Sequence, residues 1–233
     1  MNEQVLRRPA NRYRQLVDEL GGAIVEGRLA GTLPTEEALC ADLGVGRGAL
    51  REAMKALVAK GLIEIRPRTG TRVLDPEVWN RLDHDVIRWW WAADPDAVGH
   101  HVQELRELLE PASAERAAER ATPAQRDALE SAAAALLEAD DAAYLEADLR
   151  FHLTLWRLTA NPLLGSIGSA LSAVLHHVFQ CSSAAGRTAE AAHLHHAIAA
   201  AVAAHDPLRA HEASRALLEA ARSDFRSARE DAP

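Results

Sequence analysis

Two residues, Val45 and Gly46, separate two stretches that each carry a helical pattern of apolar residues. The first, "TEEALCADLG", opens on Thr35, whose hydroxyl suits an N-cap, and closes on Gly44, which suits a left-handed C-cap. The second, "RGALREAMKALVAKG", turns Leu50, Met54, Leu57 and Val58 inward and ends at Gly61. Two helices joined by so short a turn containing Gly form a helix-turn-helix. An amphipathic stretch precedes them, with Leu16, Leu20, Ile24 and Val25 on one face of residues 12–27. After them, "LIEIRPRTGTRVL" reads as two short strands around a Pro-Arg-Thr-Gly turn, which would be the wing.

Charge says what such a module can touch. The chain has a net charge of −8, which argues against nucleic acid until it is divided by position. Residues 1–74 hold twelve Lys or Arg against nine Asp or Glu, and the remainder holds fourteen against twenty-five. Seven basic residues and two acids lie between Gly46 and Arg72, a phosphate-facing surface on an otherwise acidic protein. In a helix-turn-helix the start of the second helix enters the major groove. That start is "GRGALRE", with Arg47 and Arg51 one turn apart on its exposed side. Arginine reads guanine edges and clamps phosphate. The alternative for this face is a solvated basic surface.

Residues 75–98, "DPEVWNRLDHDVIRWWWAADPDAV", read as a connector with short helices, and some of Trp89, Trp90 and Trp91 are expected to pack between modules or across a dimer contact. From residue 99 on, six helical patterns follow with short connections, and Pro123, Pro162 and Pro207 stand at helix starts. The expected architecture is mainly α: a winged helix-turn-helix at 1–75, a linker at 76–98, and an all-helical antiparallel bundle of about six helices at 99–233 that binds an effector and dimerises. No apolar run is long enough to span a bilayer, so a cytoplasmic protein without membrane contact is expected. Cys40 and Cys181 stand far apart and outline neither a disulfide framework nor a thiolate metal site.

Inside the bundle the stretch "YLEADLRFHLTLWRL" raises a different chemistry. Leu145, Leu149, Leu153 and Trp156 define a buried stripe, and Asp148 and His152, four apart, turn inward beside it. In "TAEAAHLHHAIAAAV", His195 lies on the face marked by Ile198 and Val202, whereas His193 and His196 fall off it. Arg106, at the edge of the buried face in "LRELLEP", needs a carboxylate partner. Asp148, His152 and His195 are the ligand types of a single divalent metal such as zinc, with positions left open. A hydrogen-bonded Asp–His pair beside a core histidine fits the same spacing. A metal-dependent hydrolase would need a general base within reach, and the stretch offers no H-E-x-x-H and no extra inward carboxylate, so no enzyme is expected.

"LPTEEALCADLGVGRGALREAMKALVAKGLIEIRPRTGTRV" resembles the DNA-binding domain of the GntR family of bacterial regulators, with Gly46 and Gly48 where the family has hydroxyl or small residues. The resemblance implies DNA contacts by Arg47 and Arg51 and a wing tip of Arg68, Thr69 and Gly70 in the minor groove. The second half is similar to the FCD ligand-sensing domain of the FadR-like branch, through Asp148, His152, His195 and the Arg106 of "LRELLEP". That likeness implies a pocket in which Arg106, Asp148, His152 and His195 bind a small carboxylate effector, often beside a metal. Many members carry a further histidine on the last helix, where this chain has Leu217; His211 is nearly two turns earlier. Either three ligands suffice and the effector completes the shell, or the pocket works without metal. "WNRLDHDVIRWW" with "LRELLEPASAERAAERA" is similar to sugar-acid-responsive members. The implied protein is a homodimeric repressor on a palindromic operator. The runner-up is a DNA-binding protein whose bundle only dimerises.

Overall fold

Capping chemistry sets both ends of the second helix, as the sequence predicts. A computed structural model describes residues 8–67, 69–183 and 188–230, and backbone contacts divide these into one unit up to Pro95 and a second from Asp96. The first unit holds α1 (Arg8–Val25), α2 (Glu36–Leu43), α3 (Arg47–Ala59), β1 (Ile63–Arg66), β2 (Gly70–Val73) and α4 (His84–Ala93). The Thr35 side chain accepts from the Ala38 N–H at 3.3 Å, and Gly44 takes the left-handed conformation at φ 61° that ends α2. Leu50, Ala53, Met54 and Leu57 of α3 are buried against Leu16, Leu20 and Ile24 of α1 and Leu39 of α2. Val58, expected inward, is 42% exposed. At about 100° per residue it lies roughly 75° round the helix from the line of Leu50, Met54 and Leu57, beyond the edge of the buried stripe.

β1 and β2 pair antiparallel from Ile63↔Val73 to Arg66↔Gly70. The connector after α1 adds to this wing: Thr32 bridges Arg72, and the Leu33 N–H donates to the Thr71 carbonyl at 2.8 Å. The stretch expected to link the modules contains α4, which is built into the first unit. Trp89 is buried in the core of this unit. Its ring covers Gly21 of α1, where an added Cβ would stand 2.3 Å from ring carbons. Its Nε1 donates to Asp18 at 3.0 Å, and Arg88 pairs with the same carboxylate. Lys60 ties the end of α3 to Asp83 and Asp85 at 2.7 and 2.8 Å.

The second unit is α5 (Pro95–Arg120), α6 (Pro123–Glu138), α7 (Asp141–Leu158), α8 (Pro162–Ser183), α9 (Thr188–Ala203) and α10 (Pro207–Glu230). Prolines open α6, α8 and α10, where the missing N–H has no helical partner to lose. Thr122 and Gln125 form a reciprocal capping box on α6. α6 packs against α7 and α9, α8 against α7 and α10, and α9 against α10. Alanines 114, 117, 118, 133 and 199, each at most 1% exposed, let these helices approach closely around Leu129, Phe151, Leu155, Ile198 and Val202. On α7 the fully buried line is Tyr144, Asp148, Phe151, His152 and Leu155, while Leu145, Leu149 and Leu153 are half-buried on its flank. Leu153 of that flank and Trp156 lie against Gly168 of α8. Asp148 and His152 therefore occupy the middle of the buried face. No helix among the described residues is long and apolar enough to cross a membrane.

Candidate functional sites

The first site is the outer face of the first turn of α3. Arg47 and Arg51 are both exposed there, one turn apart. Arg51 Nε contacts Glu36 Oε2 of α2 at 3.0 Å, which orients the guanidinium. Thr69 and Gly70 are exposed at the hairpin tip, and Gly70 has φ 87°, a conformation that favours glycine. Arg68 lies outside the described residues.

The second site lies inside the bundle, and three helices build it. α5 supplies Arg106, α7 supplies Asp148 and His152, and α9 supplies His195, none more than 7% exposed. Asp148 Oδ1 is 2.9 Å from His195 Nε2 and 3.3 Å from His152 Nε2, and the two Nε2 atoms are 3.2 Å apart. Among the described residues this is the one group of three such side chains close enough to share an ion. Each outer nitrogen faces an oxygen. His195 Nδ1 is 2.7 Å from the Ala191 carbonyl, so its N–H donates there, and His152 Nδ1 is 3.1 Å from Glu110 Oε2. Phe151 stands edge-on to both rings, with centroids 5.7 and 4.8 Å away.

Arg106 joins this cluster. Its Nε donates to Glu110 Oε1 at 2.7 Å, its Nη1 meets Gln103 Oε1 at 3.4 Å, and its Nη2 lies 3.4 Å from His152 Nε2. Glu110 is the carboxylate partner that the buried arginine requires, and sequence reasoning did not single it out. The signal was present: Glu110 is four residues after Arg106 on the same helix, but such pairs usually lie on solvated faces. Here both members are buried.

Burial raises the Glu110 carboxyl, but the Arg106 charge and then His152 overcome it and hold the group at about 2. Burial likewise opposes ionisation of Asp148, and the His195 and His152 rings hold its carboxyl well below the usual range. Burial would lower the His152 pKa; the Glu110 charge and then the hydrogen bond to Asp148 raise it to about 9. Two buried carboxylates therefore face one guanidinium, and the cluster calls for a further positive charge at its centre, as a proton on an imidazole or as a metal ion.

The residues fit a metal. Tetrahedral zinc bonds to N and O of about 2.0–2.2 Å set neighbouring ligand atoms roughly 3.3–3.6 Å apart, and the three inner atoms, 2.9 to 3.3 Å from one another, reach that spacing by opening a few tenths of an ångström. Each histidine also has an oxygen beside its outer nitrogen, at 2.7 Å for His195 and 3.1 Å for His152, as metal-binding imidazoles usually do. Leu217 of α10 is 3% exposed and belongs to the apolar core, and His211 is turned outward beside Glu115 at 3.4 Å. Exposed His193 and His196 take no part.

Comparison with known proteins identifies both halves of the chain. Residues 12–73 match the family described as bacterial regulatory proteins, gntR family, and residues 101–220 match the FCD domain. The galactonate operon transcriptional repressor of Escherichia coli is 35% identical over 175 residues, covering 73% of this chain and 76% of that protein. The HTH-type transcriptional regulator YieP of the same organism is 33% identical over 225 residues, 94% of this chain and 97% of its own. Among solved structures, Streptococcus agalactiae GntR has a TM-score of 0.54 at 28% identity, covering 91% of this chain and 99% of that one. Family and relatives are transcriptional regulators, not enzymes. The chain belongs to the GntR family of bacterial transcriptional regulators, with a winged helix-turn-helix followed by an FCD domain.

Proposed function

We propose that this regulator is a cytoplasmic, homodimeric repressor released from a palindromic operator by a small hydroxylated carboxylate, with a sugar acid as the effector class. The observation that carries the reading is the buried cluster of Arg106, Glu110, Asp148, His152 and His195 in the FCD domain. Asp148, His152 and His195 would hold one divalent ion of the zinc type, and Arg106 would take the effector carboxylate. Such an ion supplies a Lewis-acidic point for a carboxylate oxygen. Charge supports the pairing: with a divalent ion and neutral imidazoles, the two carboxylates and one guanidinium leave a single positive charge, which a monocarboxylate neutralises.

Polarity supports a hydroxylated ligand over an acyl chain. The hydroxyls of Ser113, Tyr144 and Ser214 are buried on α5, α7 and α10 without hydrogen-bond partners. Buried polar groups normally have partners, and leaving one unmet costs about 1–3 kcal/mol. A polyhydroxylated acid can supply partners where a fatty acid cannot. The similarity to the galactonate operon repressor points the same way. On the DNA side, Arg47 and Arg51 would read one half-site and Arg68, Thr69 and Gly70 would form the wing tip, with one half-site per subunit. The functional division follows: residues 1–75 bind DNA, 76–98 connect, and 99–233 sense the effector and dimerise.

A thermal-shift panel of galactonate, gluconate, lactate, dicarboxylates and fatty acids, each with and without chelator, tests the reading. A ligand at about 100 times its Kd adds roughly 2.7 kcal/mol to stability, readily visible as a higher Tm. A shift with a sugar acid that chelator abolishes is the expected result. No shift with any acid would leave the bundle as a dimerisation module alone.

A further inference from the structure

The Glu110 carboxylate stands between two donors that the sensor needs in fixed places. One oxygen accepts from Arg106 Nε at 2.7 Å, and the other lies 3.1 Å from His152 Nδ1. The residue is 1% exposed, so solvent cannot take its role.

We propose that Glu110 is a positioning residue, whose single carboxylate turns the Nε2 of His152 toward Asp148 and His195 for a cation while it anchors the Arg106 guanidinium. The proposal rests on the effector-sensing reading above.

A neutral imidazole has one N–H, and whatever accepts it decides which nitrogen keeps a lone pair. With the Nδ1 proton given to Glu110, the lone pair sits on Nε2, 3.2 Å from His195 Nε2 and 3.3 Å from Asp148 Oδ1. His195 is held in the same sense by the Ala191 carbonyl, a backbone group that no substitution removes. His152 depends on a side chain. If that side chain were absent, the ring could move its proton to Nε2 and donate to Asp148, which would close the site to a cation. The carboxylate cannot be replaced by its amide. Glu110 offers two acceptor oxygens to two donors, whereas glutamine offers one oxygen and must turn its NH₂ toward Arg106 or His152.

The test uses the full chain, wild type and Glu110→Gln, with zinc as the probe. Zinc affinity is measured by competition with a chromophoric chelator. Long-range ¹H–¹⁵N NMR of the histidine rings is recorded on metal-free protein at a pH above about 9, where the His152 ring is neutral and its one proton reports the tautomer, with His152 assigned by its own substitution. The expected result is a 10- to 100-fold loss of zinc affinity in Glu110→Gln, the range seen when outer partners of metal-binding histidines are removed. A protected Nδ1 proton on His152 is expected in the wild type and not in the variant. Unchanged zinc affinity with the Nδ1 proton retained in the variant would overturn the proposal. If Glu110→Gln does not fold, the wild type decides alone, because a His152 without a proton on Nδ1 refutes the arrangement. If the wild type takes up no zinc, the metal reading of the site fails, and the Nδ1 proton still tests whether Glu110 holds the ring.

Discussion

Arg47 and Arg51 are the simplest residues to argue about, because they are exposed and their removal leaves the core untouched. Arg47→Ala and Arg51→Ala should each weaken operator binding by about 1–3 kcal/mol, the worth of a good bidentate base contact. Gel-shift titrations on the operator and circular dichroism of the free protein check this, and full operator affinity in both variants would refute the recognition-face assignment. Glu110 is the contrasting case. Asp148, His152 and His195 were legible from spacing alone, because each falls on a helical face marked by apolar neighbours. Glu110 was not, since a glutamate one turn after an arginine reads as a surface ion pair until its burial is known.

Among the elements, α4 and α7 show where local pattern stops being informative. The tryptophans of α4 announced a packing site, but not that Trp89 would cover Gly21 in α1, sixty-eight positions earlier. Gly21→Ala should therefore destabilise the DNA-binding unit by about 1–3 kcal/mol, the usual cost of forcing atoms into a filled core. Urea unfolding followed by Trp fluorescence measures it, and an unchanged midpoint would mean that α4 yields without cost. On α7 the leucine spacing pointed inward, yet the deepest line is Tyr144, Asp148, Phe151, His152 and Leu155. A helix flanked on two sides has a wide buried arc, and the sequence does not say which part of it is central.

For the molecule as a whole, the candidate site depends on three helices meeting at one point, so loss of one of its side chains should be felt throughout the FCD domain. Purified protein is expected to carry at most one divalent ion per chain, and Asp148→Ala should lose it, along with the chelator-sensitive part of the Tm. Elemental analysis and melting curves read this directly. Full metal content in Asp148→Ala would move the site elsewhere.

What the sequence determined by itself is what depends on neighbours a few residues away. The caps at Thr35 and Gly44, the proline helix starts, the short turn before Arg47 and the hairpin around Gly70 follow from backbone dihedrals and local hydrogen bonds. What only the tertiary structure decided is what depends on how helices distant in the chain approach one another. It brings Asp148 of α7 to 2.9 Å from His195 of α9 and makes the Glu110 of α5 a buried partner of both Arg106 and His152. The physical reason is that helical periodicity fixes the direction of a side chain around its own axis, whereas the distance to the next helix is set by packing, here by the alanines that let the helices close around the charged cluster.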